Sequence, residues 1–100
     1  MISDFIYIFY QNMDFSSGNN IRNNLVHTTS HNRHLLILKI IQNKSMLDNL
    51  IIHINKNINT FSYNTLNILI QVFTRFQEEA IPESMNTLLK LSKQLKKNNI

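Results

Sequence analysis

Lys90, Lys93 and Lys97 recur at i, i+3 and i+7, so they share one face if that stretch is helical, with Lys96 beside them and Asn86 one turn earlier. Such an array suits RNA phosphates, because phosphate contacts supply most of the affinity and salt dependence of sequence-independent binding. The plainer reading of the same residues is a wetted face whose lysines are set against the negative end of a helix dipole. His27, His31 and His34 fall at i, i+4 and i+7 and would face one way on a continuous helix, a conceivable zinc arrangement. Ser30 interrupts that continuity, and neither a cysteine nor a nearby carboxylate completes a ligand set. No metal is therefore expected, and these three read as surface histidines. His53 reads as a residue bordering the core of its own helix.

The inventory for catalysis is thin. There are three Asp and three Glu, no glycine-rich phosphate loop and no nucleophile signature. Asp48 and the pair Glu78 and Glu79 are accounted for by helix capping and an exposed helix end. No enzymatic activity, no cofactor and no small-molecule substrate are expected. Arg22, Arg33, Lys39, Lys44, Lys56 and Arg75 are scattered and show no pattern of their own. Tyr63 and Tyr10 are available to stack on bases, whereas Phe61, Phe73 and Phe76 sit at core spacing.

These side chains must be positioned by a chain of 100 residues, the size of one domain, which buries about 60–70% of its unfolded surface. Apolar residues make up 43% of it, while glycine and proline occur once each, as Gly18 and Pro82. Turn-rich β architectures need many more of both, so helices are expected. Sixteen asparagines, with abundant Ile, Leu and Lys, match the codon bias of an AT-rich genome, and they lie between regularly spaced apolar residues. The formal charge of +4 and a pI near 9.6 permit polyanion binding without requiring it. Without cysteine there is no disulfide, no thiolate nucleophile and no Cys-type zinc site, which is compatible with a reducing compartment.

Near the start, the apolar run at 5–10 follows Asp4 and no basic residue, which fits neither a secretory signal nor an organellar presequence. No apolar stretch approaches the ~18–20 residues of a bilayer span, so a soluble or peripheral protein is expected. An organellar protein whose presequence has been removed is also compatible.

Residues 1–13, rich in Phe, Tyr and Ile, suit a strand or a buried helix equally, and 14–20, with Ser16, Ser17 and Gly18, read as a loop. Residues 21–29 are weakly helical. The dense apolar run at 31–42 predicts a helix buried on nearly every side, capped by Ser30 or Asn32. Ser45 and Asp48 resemble a capping box opening a helix to about Lys56, with Met46, Leu47, Leu50, Ile51, Ile54 and Ile58 on its buried stripe. Ser62 predicts the cap of a helix reaching about Gln77. Its core stripe is Leu66, Leu69, Ile70, Phe73 and Phe76, and its polar face Asn64, Asn67, Gln71, Thr74 and Glu78. Pro82 suits the first turn of the last helix and Glu83 its positive end, with Met85, Leu88, Leu89, Leu91 and Leu95 directed inward.

Four helices joined by short links predict two consecutive antiparallel hairpins. Ser45 and Met46 recur as Ser84 and Met85 at an interval of 39 residues, within the range of helical-repeat arrays. The stretch from Met46 to Leu95, and in it the run MLDNLIIHINKNINTFSYNTLNILIQVFTRF at 46–76, with Phe61 between two helices and Leu66, Asn67, Ile68 and Leu69 opening the second, carries a resemblance. It resembles the helix-pair repeats of RAP-domain and FAST-kinase-like organellar RNA proteins, over about half of the chain and through degenerate apolar positions. No separate RAP domain is visible. What the resemblance implies is a stacked helix-pair shape and an RNA-associated, mitochondrial setting, in some protists a place in the mitochondrial ribosome; it carries over no catalytic residue.

The expectation is thus an all-α, solenoid-like domain of two helical hairpins at 21–100 behind an N-terminal apolar segment and loop at 1–20. Its expected role is that of an RNA-associated structural protein contacting phosphates through Lys90, Lys93, Lys96 and Lys97, with RNA, rRNA first, and neighbouring proteins as partners. The rival expectation is a protein-interaction module without RNA contact, since a lone pair of hairpins leaves apolar end faces that further repeats would cover. An amphipathic membrane anchor at 2–13 is disfavoured by the lack of basic residues there. The compartment is mitochondrial by resemblance and otherwise cytoplasmic.

Overall fold

A short polar side chain ahead of each apolar stripe decides where most of the helices begin. The computed structural model describes residues 17–98. Within them run α1 (Gly18–Val26), α2 (Ser30–Ile41), α3 (Lys44–Asn57), a 3-10 turn (Ile58–Thr60), α4 (Tyr63–Glu78) and α5 (Ser84–Asn98), with no strand among the described residues. The protein is all-α. The apolar segment at 1–13 lies outside the described residues.

Ser17 Oγ accepts from the Asn20 amide at 3.4 Å, Thr29 Oγ1 from Asn32 at 3.2 Å, Asn43 Oδ1 from Met46 at 3.2 Å and Ser62 Oγ from Thr65 at 3.1 Å. Each such cap contributes about 1 kcal/mol by pairing an amide that the helix cannot. Ser62 caps as its sequence predicts. Thr29 caps in place of Ser30 or Asn32, because both of those are already inside the helix. Asn43 replaces the expected Ser45 box, because its extended backbone (φ −138°, ψ 94°) lets the amide side chain fold back. Asp48 instead receives an ion pair from Lys44 Nζ at 3.2 Å.

The loop expected over 14–20 is helical from Gly18 onward. A Cβ on Gly18 would meet the Asn49 carbonyl oxygen and lie 2.5 Å from the Cβ of His53, so the backbone of α1 rests directly on α3. That approach buries Ile21 and Leu25 completely and makes α1 the most extensive neighbour of α3. The predicted pairing of α2 with α3 is present but smaller. The helix expected to be apolar on every side, α2, covers Leu36, Ile37 and Ile40 and leaves Leu35, Leu38 and Ile41 half-exposed, since only α3 and α1 pack closely on it.

At the centre lies α4, with Leu66, Leu69, Val72, Phe73 and Phe76 fully buried and the rings of Phe73 and Phe76 in edge contact at 5.0 Å. Its predicted polar face, Asn64, Asn67, Gln71, Thr74 and Glu78, is exposed throughout. With α5 it forms the expected hairpin, and Asn98 Nδ2 donating to the Phe61 carbonyl at 3.1 Å fixes the two helices as antiparallel.

The turn between α4 and α5 departs from expectation. Ala80 adopts φ 55°, its amide donates to Gln77 O at 3.0 Å, and Ile81 donates to Phe76 O at 3.0 Å. Together these form a Schellman terminus with alanine where glycine is usual, and Ile81 packs on the core. Pro82 and Glu83 therefore belong to the turn, Glu83 with φ 73°, and α5 begins at Ser84. Ser84 Oγ donates to Ile81 O at 2.6 Å and lies 3.0 Å from the Gln77 side-chain amide, which pins the rotation of α5. In that rotation Ser84, Thr87 and Leu91 are buried, and Leu88 and Leu95 are half-buried. Met85 and Leu89, expected inward, turn aside and are 47% and 53% exposed.

Two substitutions test these backbone assignments by urea unfolding. Gly18→Ala, which would stabilise an ordinary helix interior, is expected to cost about 1–3 kcal/mol through overpacking against α3. Ala80→Gly is expected to stabilise by about 1 kcal/mol, because glycine adopts the left-handed region without a Cβ penalty. A stabilising Gly18→Ala would refute the close approach.

Candidate functional site

Of the chain's basic side chains, those on α1 and α2 are largely engaged by the fold. Arg33 Nε donates to Leu25 O at 2.7 Å and its Nη2 to Thr28 O at 3.3 Å, so this side chain closes the carbonyl end of α1. Arg22 Nη2 donates to Asn19 Oδ1 at 2.7 Å, its Nε donates to His53 Nε2 at 3.1 Å, and its guanidinium lies 5.5 Å from the centre of the Phe61 ring. That is a cation–π contact across α1, α3 and the segment after the 3-10 turn. On α4, Arg75 faces Glu79 at 3.6 Å and the His34 imidazole at 3.3 Å.

The lysines of α5 differ from these. Lys90, Lys93, Lys96 and Lys97 are all exposed, and no acidic residue lies on their helix. Lys90 Nζ donates to Asn55 Oδ1 of α3 at 3.2 Å, whereas no hydrogen bond or ion pair within the described residues holds Lys93, Lys96 or Lys97. Four ammonium groups thus share one helix and stand in water, the two nearest its end also meeting the negative pole of the helix dipole. The fold does not gather Arg22, Arg33, Lys44 or Arg75 onto that face, since each is tied to a partner elsewhere.

The histidine row does not form. His27 is the C-cap of α1, while His31 and His34 lie on α2 beyond a break in the helix, so the three no longer share a helical face. His53 does border the core, as its position predicts, and it also lines a polar cleft of about 310 Å³ with Asn19, Arg22, Asn57, Phe61 and Thr65. Asn57 Nδ2 donates to the His53 carbonyl at 2.9 Å and lies 3.1 Å from His53 Nδ1. Burial, and then the neighbouring Arg22 charge, lower the His53 pKa below its ordinary 6.5; burial alone lowers that of Arg22. The hydrogen bond from Arg22 Nε requires an unprotonated Nε2, so geometry and charge agree on a neutral imidazole.

Phe61, Phe73 and Phe76 are buried as their spacing predicts, and Tyr63 is 50% exposed. Tyr10 lies outside the described residues. Sequence reasoning missed one cationic cluster: Ser30, Arg33, His34 and Ile37 of α2 face Gln71, Val72 and Arg75 of α4 across an open groove of about 260 Å³. The spacing 30, 33, 34, 37 marks one face of α2, but nothing in the sequence says which helix lies opposite. Comparison with protein-family models, curated proteins and solved structures returns no significant match.

A depressed histidine pKa gives stability that is complete above the unfolded value of about 6.5 and is lost as pH falls through the folded value. Thermal unfolding is therefore expected to shift to lower temperature as the buffer is taken from about pH 7 to about pH 5. His53→Gln keeps an acceptor for Arg22 without a titrating ring, so it should remove most of that decline. An undiminished decline in the variant would show that the linkage lies elsewhere.

Proposed function

We propose that the protein is an RNA-associated structural module that holds RNA phosphates through Lys90, Lys93, Lys96 and Lys97 without reading bases. The observation that carries this reading is the exposed face of α5, with three lysines free of partners among the described residues and no carboxylate on the helix. Flexible ammonium groups in water meet phosphates as point charges and impose no base geometry. A rigid helical body with cations on one edge suits a subunit of a ribonucleoprotein particle. A mitochondrial ribosome or similar assembly is the setting that the family resemblance implies.

Met85 and Leu89 support a second reading. They stand exposed one turn apart on α5, an apolar pair suited to a neighbouring protein. In an RNA–protein particle the two readings are compatible. Without RNA contact, α5 becomes a docking helix alone. Among the described residues no helix is long and apolar enough to cross a membrane.

Binding to unrelated single-stranded RNAs over a salt series tests the proposal. Affinity should fall steeply with salt and differ little between sequences, at a slope of roughly −0.7 per phosphate contacted. Replacing Lys93, Lys96 and Lys97 with Gln should flatten the slope by about 2. Affinity that is absent or indifferent to salt refutes phosphate contact; in that case self-association or partner binding lost in Met85→Lys would favour the docking helix.

A further inference from the structure

We propose that the groove between α2 and α4 is a seat for one phosphate group, held by Arg33 and Arg75. It is separate from the lysine face of α5 and does not depend on it. Arg33 comes from α2 and Arg75 from α4, and both line the same open space with Ser30, His34 and Gln71 above a floor of Ile37 and Val72. The two helices are not closely packed, so the groove is open to a ligand.

Both guanidiniums are oriented by contacts that leave donors unused. Arg33 is held by its Nε and Nη2 on the backbone carbonyls of Leu25 and Thr28, which leaves Nη1 without a partner among the described residues. Arg75 is held by Nε toward Glu79 and by Nη1 toward His34, which leaves Nη2. A guanidinium carries five N–H donors in a fixed fork, so a side chain anchored at one edge still presents the other. Glu79 is the opposing charge; it is 3.6 Å from Nε, and its side chain is 49% exposed, so solvent weakens its hold. Two permanent cations thus line the groove, and one partly solvated carboxylate pairs with one of them.

The backbone adds to this. Thr29 satisfies the amides of Asn32 and Arg33, through its Oγ1 and its carbonyl respectively. Ser30, which lines the groove, is the first residue of α2, where amides have no helical partner and the dipole favours an anion. No acidic residue lies in that first turn. The chemistry suits a phosphate dianion or a backbone phosphodiester better than a carboxylate, because a phosphate group offers several anionic oxygens to planar donor forks.

The test follows the side-chain Nε–Hε signals of Arg33 and Arg75 and the His34 ring signals by NMR. Inorganic phosphate is titrated into the full chain, with sodium chloride at matched ionic strength as the control. Phosphate should move these signals saturably while chloride does not. Arg75→Gln should weaken binding about tenfold, the loss of one charge-assisted contact. The variant lacking Lys93, Lys96 and Lys97 should bind phosphate unchanged, so failure of the RNA reading and failure of this one are distinguishable.

A uridine tetranucleotide that displaces phosphate from the groove identifies an RNA backbone as the source. A tetranucleotide that does not identifies a free phosphate or monoester. Shifts that track ionic strength equally in chloride, or that survive Arg75→Gln in a variant with an unchanged unfolding midpoint, overturn the proposal.

Discussion

Helix α1 can reach the core only because Gly18 lets its backbone lie against the Asn49 carbonyl and the His53 Cβ of α3. From that approach follow the burial of Ile21 and Leu25, the placement of Arg22 over Phe61, and the position of the carbonyl end of α1 that Arg33 closes. Nine residues with three buried apolar side chains would not hold as a helix in isolation. Packing on α3 and α4 supplies what propensity does not. Arg22 and Arg33 in turn join α1 to its neighbours through groups that are only partly open to water.

This contact divides the positive charge of the molecule by role. Arginines, with planar forks that engage carbonyls, an imidazole and an aromatic face, hold helices together at α1, α2 and α4. The four lysines of α5, with flexible stems and strongly hydrated heads, stand away from any carboxylate of their own helix. A net charge of +4 is small for a polyanion-binding protein, so the arrangement of that charge matters more than its sum. Because α5 is locked to α4 by Leu91, Ser84 and the contact of Asn98 with Phe61, its lysines are carried on a fixed body.

Where many residues repeat one signal, the sequence is a good guide. The stripe of α4 runs over four turns with a polar face opposite it, and Ser62 stands at its head, so both its extent and its orientation could be predicted. Phe61, Phe73 and Phe76 fall inside for the same reason. Short or singular features are not legible. In α1, GNNIRNNLV offers only Ile21, Leu25 and Val26 among asparagines, and a lone glycine reads as a break when its true function is to admit a neighbouring backbone. The left-handed turn at Ala80 has no glycine to announce it, so the sequence places Pro82 in the first turn of α5 and directs Met85 and Leu89 inward, where the structure begins the helix at Ser84 and exposes both. As for the site, the lysine row could be read because it lies on one helix. The groove of Arg33 and Arg75 could not, because its two sides are 42 positions apart in sequence (75 minus 33) and only the fold opposes them.

The integration of α1 into the core is measured most directly by native-state amide hydrogen exchange, residue by residue, under conditions where exchange reports opening free energy. The structure predicts that the amides of Leu25 and Val26 open only with those of Leu69 and Phe73 in α4, in one cooperative unit. Amides of α1 that exchange at nearly unprotected rates while α4 stays protected would contradict it, and with it the assignment of Arg22 and Arg33 to structural duty.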